Sequence, residues 1–338
     1  MAAFQVLDRI PDALFGLEAS GLHQVLAGPT LFHLPGKKEP PLFVSTLLHG
    51  NETTGFQAVK ILLEKYRKDG ESLPRSLFLF LGNVAAAKEN VRRLPGEADY
   101  NRIWKEGEQP EHGMARELVR RLTRQPLFAC VDVHNSSGRN PHYACINRLD
   151  PVWVNLARLF SPTVVYFIRP DTVLTNVFSD HCPAVTLESG QSGQAHGVQH
   201  VVNFLDRLLQ LDAPPAHLED ELPYDLYHTL GRIEVPPGKH VAFSKAGNHA
   251  DFCFLEQLDL FNFKELPKGE LIGWRSRPDL HLAVVDEHGA EVEGEFLSYV
   301  GNEIRLARPL VPSMLSTEPE AVYQDCLGYL MERCTLPV

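Results

Sequence analysis

Short apolar runs alternate with longer amphipathic segments through much of this sequence, beginning at Pro41. The apolar runs have the length of buried strands and lie at residues 42–48, 77–81, 127–133, 163–168 and 184–187. Between them, segments such as 53–66 and 114–122 repeat apolar side chains at helical spacing. This alternation predicts an α/β fold with a mixed, largely parallel sheet flanked by helices.

The pattern changes near residue 212. A helical segment at about 194–211 is followed by Ala213-Pro214-Pro215, and beyond it strand-like runs alternate with turn signals such as Pro236-Pro237-Gly238. We therefore expect two domains, at residues 1–212 and 213–338, of which the second is smaller and β-rich. The second domain is predicted to end in a helix, because Thr317 to Glu320 has the pattern of a capping box before an apolar helical repeat.

Composition excludes several classes of protein. The net charge is -11 and no Lys/Arg-rich run is present, which argues against a nucleic-acid partner, since such partners need a clustered basic surface. No window approaches the ~20 apolar residues of a membrane span, and the N-terminus lacks the pattern of a signal peptide. The six cysteines are scattered, as expected for free thiols in a reducing compartment. We expect a soluble, cytoplasmic protein with no membrane partner.

Polar residues follow several of the predicted strands at the point where each strand ends. His49 and Glu52 follow the first apolar run, His134 ends the third, and Glu188 ends the last. Ligands of open α/β sheets bind outside the carboxyl ends of the strands. These four side chains are therefore predicted to belong to one site.

The residue types at this edge indicate a metal. His49, Glu52 and His134 offer the nitrogen and oxygen ligands that catalytic zinc prefers, and such sites keep a further position open for water. Asp132, two residues before His134, is a possible carboxylate partner for its second ring nitrogen. A single histidine in a loop is more often a hydrogen-bonded or surface residue, but a shared sheet edge favours ligation of about one zinc ion per chain.

The remaining polar residues suggest hydrolysis. Glu188 is the predicted general base and acid, which takes a proton from zinc-bound water as that water attacks a carbonyl, and passes the proton to a leaving nitrogen. The alternative is a surface carboxylate beside a helix, which its place at the end of an apolar run makes the weaker interpretation. Asn101 and Arg102 offer a fork of donors suited to a substrate carboxylate.

Four segments together resemble the succinylglutamate desuccinylase/aspartoacylase family of zinc carboxypeptidase-like enzymes. They are His49-Gly50-Asn51-Glu52, Asn101-Arg102, Asp132-Val133-His134-Asn135 and Leu187-Glu188, and the likeness spans roughly residues 40 to 312. The resemblance implies a carboxypeptidase-like α/β fold whose zinc-hydrolase catalytic domain is residues 1–212. It also implies hydrolysis of the amide bond in a small N-acyl amino acid or a related compound. Monomer and homo-oligomer both stay open.

The resemblance also implies an arginine that polarises the scissile carbonyl, and its counterpart here is Arg93 or Arg92. Two positions depart from the family. Phe178 occupies the place of a substrate-binding arginine about ten residues before the glutamate, and Leu306 stands near the place of a tyrosine of aspartoacylase. Arg139 is the candidate for the missing positive charge. The departures leave the acyl group and the amino acid undetermined.

Two alternatives remain beside the deacylase interpretation. One is a metallocarboxypeptidase that acts on peptides. The other is a non-catalytic member of the family that binds a ligand, against which the presence of Glu188 speaks.

Overall fold

The computed structural model describes residues 4–218, 222–244 and 249–336. Two compact units make up the chain. The first contains the described residues up to 135, those from 142 to 225, and Leu336. The second contains residues 136–141 and the described part of 226–335.

A single mixed sheet forms the centre of the first unit. Its strands are β1 (Gln5–Leu7), β2 (Thr30–Leu34), β3 (Leu42–Thr46), β4 (Leu77–Leu81), β5 (Cys130–His134), β6 (Tyr143–Ile146), β7 (Thr163–Tyr166) and β8 (Ala184–Glu188). They lie in the order β1-β2-β4-β3-β5-β8-β6-β7. The pairs β1–β2, β3–β4, β3–β5, β5–β8 and β6–β7 are parallel, whereas β2–β4 and β6–β8 are antiparallel. The predicted mixed, largely parallel sheet is confirmed.

Helices connect and flank these strands. They are α1 (Thr54–Lys68), α2 (Val84–Glu89), α3 (Pro110–Leu122), α4 (Pro151–Arg158), α5 (Leu174–Phe178) and α6 (Ala195–Gln210), with short 3-10 helices at Asp12–Gly16 and Ala19–Gln24. The helices predicted at 53–66, 114–122 and about 194–211 are present with small shifts at their ends.

The central strands β3, β4, β5 and β8 are buried at every position. Continuous burial explains why the sequence shows unbroken apolar runs rather than alternation, because a parallel strand is covered on both faces. Helices α1 and α6 pack against each other, and α1 also packs on β3 and β5. Apolar side chains such as Phe56, Val59 and Leu62 form the buried face of α1. The carboxyl ends of β3, β5 and β8 are therefore held in fixed register.

The second unit is β-rich, as predicted. Its strands are β9 (Asp225–Glu234), β10 (Val241–Phe243), β11 (Phe252–Phe254), β12 (Leu271–Arg275), β13 (Ala283–Asp286), β14 (Leu297–Val300), β15 (Glu303–Leu306), β16 (Val311–Ser313) and β17 (Gly328–Arg333). One sheet has the order β10-β11-β12-β15-β14, and β9 pairs antiparallel with β13 and β17, which in turn pairs with β16. Short helices lie at Leu258–Phe261 (3-10), α7 (Glu293–Phe296) and α8 (Pro319–Gln324).

The predicted terminal helix is wrong beyond Gln324. Helix α8 ends there, and the following apolar residues Leu330 and Met331 lie in β17, paired with β9 and β16. Their spacing fitted a helix in the sequence, but pairing with two strands buries them and satisfies their backbone groups, so tertiary contacts decide the conformation. Glu318, the N-cap residue of α8, makes no side-chain capping bond.

The boundary predicted after residue 212 does not coincide with the division into compact units. That division falls after residue 225, and residues 136–141 belong to the second unit. As a statement about domains, the division into 1–212 and 213–338 stays a prediction.

All six cysteines are free thiols. No helix among residues 4–218, 222–244 and 249–336 combines the length and the apolar character that crossing a bilayer requires.

Candidate metal-binding site

A tight turn between β3 and α1 carries the first two predicted ligands. Leu47 has φ of 58°, in the left-handed region that residues other than glycine rarely adopt. A Cβ atom on Gly50 would lie 2.2 Å from the backbone carbon of Ala86, so only glycine allows this close approach. The turn brings His49 and Glu52 to the carboxyl end of β3.

Three predicted ligands converge on one point. The Nδ1 atom of His49 lies 2.7 Å from Glu52 Oε1, and the Nδ1 atom of His134 lies 2.8 Å from Glu52 Oε2. One ligand atom from each of the three residues lies within 4.8 Å of the others, and the group could hold a metal ion. The three residues are 2 to 8% exposed. Two imidazole nitrogens and a carboxylate are a common donor set for catalytic zinc.

Each histidine has a second carboxylate on its other ring nitrogen. His49 Nε2 lies 3.0 Å from Asp99 Oδ1, and His134 Nε2 lies 2.8 Å from Asp132 Oδ2. Metal-binding histidines normally donate this second N–H to a carboxylate or carbonyl, which fixes the tautomer and the ring orientation. Both rings therefore present Nδ1 to the same point.

The charges in this cluster oppose the cost of burial. Burial alone would raise the pKa of the Glu52 carboxyl, but the neighbouring His49 and His134 outweigh it and the pKa is lowered. Burial alone would lower the pKa of His134, yet the carboxylates of Asp132 and Glu52 raise it well above its usual value. Metal binding requires neutral imidazole, so a bound cation would oppose the rise in the pKa of His134.

Glu188 ends β8 beside this group. Its Cα pairs in register with that of His134 on β5, and the residue is 7% exposed. Its Oε2 atom is buried without a hydrogen-bond partner among the residues that the structure describes. Burial raises the pKa of Glu188 to about 8, against the lowering effect of His134. A carboxyl group with this pKa, and with one oxygen that accepts no hydrogen bond from the described residues, can hold or release a proton near neutral pH.

Arg92 reaches the cluster from the segment after α2. Its Nε and Nη2 atoms donate to Asp99 Oδ2 at 3.1 and 2.9 Å, and its Nη1 atom lies 3.9 Å from Glu52 Oε1. Burial alone would raise the pKa of the Asp99 carboxyl, but His49 and Arg92 lower it overall. Arg92 and Asp99 together hold His49 in place. The neighbouring Arg93 is half-buried and forms no hydrogen bond or ion pair with the described residues.

Asn101 and Arg102 lie next to Asp99 in the chain. The backbone N–H of Asn101 donates to Asp99 Oδ1 at 2.8 Å, so this segment is linked to His49 through one carboxylate. Asn101 Oδ1 is buried without a partner among the described residues. The guanidinium of Arg102 donates to the carbonyl oxygen of Asn101 at 3.0 Å. The pair is thus placed near the candidate metal ligands.

Two other residues singled out in the sequence are not in this cluster. Phe178 is fully buried in an apolar core of the first unit, with its ring 4.9 Å from that of Phe43. Arg139 belongs to the second unit, where its Nε atom lies 3.5 Å from Asp259 Oδ2 and its side chain is 62% exposed.

Sequence reasoning missed the roles of Asp99 and Asn135. Asp99 contacts the ring of His49, which is 50 positions away in the chain, so local spacing gave no signal of this role. The backbone N–H of Asn135 donates to Glu52 Oε2 at 3.1 Å. No pattern in the sequence indicates that contact, because the two residues are 83 positions apart and meet only in the folded chain.

The fold and the site define a class. The chain is a mixed α/β protein with a candidate His-Glu-His metal centre at the carboxyl edge of its sheet. Residues 38–202 match the family described as the succinylglutamate desuccinylase/aspartoacylase catalytic domain. Over these residues the chain is similar to this family. No curated protein sequence matches the chain.

Solved structures share the fold over most of the chain. Succinylglutamate desuccinylase from Chromobacterium violaceum is 19% identical, with a TM-score of 0.54 over 88% of this chain and 86% of that one. A succinylglutamate desuccinylase/aspartoacylase from Rhodobacter sphaeroides is 14% identical, with a TM-score of 0.59 over 89% and 88%. Murine aminoacylase 3 is 20% identical, with a TM-score of 0.55 over 89% and 99%.

Proposed function

We propose that this chain is a zinc-dependent hydrolase that cleaves the amide bond of an N-acyl amino acid or a related small compound. The observation that carries the proposal is the pairing of two features at one sheet edge. His49, Glu52 and His134 form a compact donor group. Glu188 lies on β8, next to the strand that carries His134, and its buried Oε2 atom has no hydrogen-bond partner in the described part of the chain. The family match and structures titled desuccinylase and aminoacylase support amide hydrolysis.

The donor set fits zinc. It combines two Nδ1 atoms with a carboxylate, and both histidines are oriented by second carboxylates. When bound, zinc would act as a Lewis acid toward a carbonyl and make water a stronger acid. His49, Glu52 and His134 would hold it.

Glu188 would act as general base and then as general acid in the reaction. Its free oxygen accepts a proton from the attacking water and returns it to the leaving nitrogen, which departs as an amine. Burial keeps the carboxyl group away from bulk water and favours its protonated form. The positive charge of a nearby cation would oppose this effect and leave the carboxylate ready to accept a proton.

Asn101 and Arg102 would bind the carboxylate of the amino-acid part of the substrate, by charge and by a fork of N–H donors. Arg139 stays a candidate for binding a charged end of the substrate. An arginine would polarise the scissile carbonyl. Of the two candidates, geometry favours Arg92 over Arg93, because the Nη1 atom of Arg92 lies 3.9 Å from the candidate ligand Glu52.

Matched substitutions distinguish the two arginines. We expect Arg92→Lys to lower kcat by ~10²-fold, because lysine keeps the charge but loses the fork that contacts both Asp99 and the site. Arg93→Lys is the control and should change kcat by less than about threefold. Steady-state kinetics of the two variants provide the measurement. A large loss in Arg93→Lys alone would reverse the assignment.

A substrate panel tests the function itself. Zinc-loaded protein is assayed against N-acyl amino acids with acetyl, succinyl and longer acyl groups, against the same compounds with the carboxylate converted to a carboxamide, and against short peptides. We expect amide hydrolysis of at least one N-acyl amino acid and a loss of at least about tenfold for its carboxamide, since a charged hydrogen bond would be lost. Preference for peptides would instead indicate a metallocarboxypeptidase. Absence of all hydrolysis would indicate a ligand-binding member.

A further inference from the structure

Helix α1 begins at Thr54, two residues after Glu52. Side chains from outside the helix accept hydrogen bonds from the N–H groups at its start. The N-cap residue Thr53 makes no capping bond with its own side chain. Instead, the Thr53 N–H donates to Ser192 Oγ at 3.1 Å, and the Thr54 N–H donates to Asn135 Oδ1 at 3.3 Å. The first N–H groups of a helix have no partner within the helix, so these remote acceptors fix where α1 starts.

The nitrogen of the Asn135 side-chain amide donates hydrogen bonds to the turn that follows β8. Asn135 Nδ2 donates to Ser189 Oγ at 3.1 Å and to the carbonyl oxygen of Gly190 at 2.9 Å. The residue is 6% exposed. One buried side chain therefore connects the start of α1 with the residues that follow Glu188.

The turn is also tied to β5. The N–H and Oγ–H groups of Ser189 both donate to the carbonyl oxygen of His134, at 3.0 and 2.7 Å. The backbone N–H of Asn135 itself donates to Glu52 Oε2. These bonds join the segment after one candidate ligand, His134, to the segment after Glu188.

We propose that Asn135 is a positioning residue that sets the distance between the Glu188 carboxylate and the ligand-bearing segment His49 to Glu52. Its amide is the buried bridge from α1 to the hydroxyl of Ser189 and the carbonyl oxygen of Gly190. It acts on the reaction through Glu188 rather than by touching substrate. The consequence for catalysis rests on the function proposed above. The hydrogen-bonded bridge made by Asn135 does not depend on that function.

The experiment compares Asn135→Ala with Asn155→Ala. Asn155 is a buried asparagine of α4, 9% exposed, whose Nδ2 donates to the carbonyl oxygen of Ala216 at 2.9 Å. Both variants lose a buried amide, so both should lower the melting temperature. We expect Asn135→Ala alone to lower kcat by ~10- to 100-fold, as a small misplacement of a reacting group does, with KM changed less than about threefold.

Two readouts do not depend on turnover. Zinc content should stay at about one ion per chain in both variants, because neither removes a ligand. Hydrogen–deuterium exchange should rise in Asn135→Ala at both the start of α1 and the turn after Glu188, and at neither segment in Asn155→Ala, since local opening follows lost bonds.

Asn135→Asp separates the two halves of the bridge and serves if the alanine variant folds poorly. Aspartate keeps an acceptor for the Thr54 N–H but has no donor for Ser189 and Gly190. Exchange should therefore rise at the turn and stay unchanged at α1.

The outcomes are distinct. Faster exchange at both segments together with a kcat loss specific to Asn135→Ala supports the proposal. Unchanged exchange, or equal kcat losses in Asn135→Ala and Asn155→Ala, overturns it. If the parent protein hydrolyses nothing while the exchange pattern appears, the proposed function fails and the bridge between the two segments stands.

Discussion

Glu188→Gln is expected to lower kcat by ~10²- to 10⁴-fold, the range that a general acid–base group contributes. Glutamine is isosteric but cannot take up the proton, and the Oε2 atom of Glu188 is a buried acceptor without a partner among the described residues. The zinc content should stay at about one ion per chain, because Glu188 is not in the donor group. Steady-state kinetics and metal analysis of the same preparation measure both quantities.

Two further variants distinguish loss of the proton acceptor from loss of a metal ligand. Glu52→Gln alters a candidate ligand and should weaken zinc binding as well as activity. Glu188→Asp retains the carboxylate but withdraws it by one methylene, and its activity should lie between those of the parent and Glu188→Gln. Full activity in Glu188→Gln would contradict the role assigned to this residue.

Removal of zinc with a chelator is expected to abolish hydrolysis, and addition of zinc should restore it. The melting temperature should rise with zinc concentration, because a ligand that binds only the folded state stabilises it by about 2.7 kcal/mol at a hundredfold excess over Kd. The physical reason is that His49, Glu52 and His134 meet only in the folded chain, where their ligand atoms lie within 4.8 Å of one another. Activity assays and thermal unfolding of the apo and zinc-loaded protein provide the measurement.

A matched histidine variant controls for unspecific metal binding. His196 and His200 are four residues apart on α6, a spacing that can bind metals, but they do not belong to the donor group found among the described residues. His196→Asn should therefore keep the zinc-dependent stabilisation, whereas His134→Asn should lose it. Equal behaviour of the two variants, or apo-protein with unchanged activity, would contradict the zinc proposal.

The sequence predicted five of the eight strands of the first unit, because a buried strand appears as a short, unbroken apolar run. Strands β1, β2 and β6 were not predicted. Strand β4 has the predicted bounds, Leu77–Leu81, and β3, β5, β7 and β8 differ only at their ends. The same reasoning failed for the residues after Gln324. Their apolar side chains have a spacing that fits a helix, but the segment pairs with β9 and β16 and is a strand.

The sequence also predicted which residues the sheet brings together. His49, Glu52, His134 and Glu188 each follow or end an apolar run, and parallel strands place such residues at one edge. Their roles in metal binding and catalysis stay proposals. Arg92 and Arg93 show the limit of this reasoning. They are adjacent and lie outside a regular strand, so no periodicity in the sequence indicates which of the two side chains faces the site.

By itself, the sequence determined the class of fold and the edge of the sheet at which the chemistry is expected, because hydrophobic periodicity and strand order act through local spacing. Only the tertiary structure decided which ring nitrogen faces the candidate metal, since Asp99 and Asp132 fix that choice from outside the cluster. It also decided that Asn135 caps α1 and holds the turn after Glu188. Apart from the contact between Asp132 and His134, which are two residues apart and were paired in the sequence analysis, these are hydrogen bonds between residues distant in sequence. Their geometry exists only once the sheet has set the register of its strands.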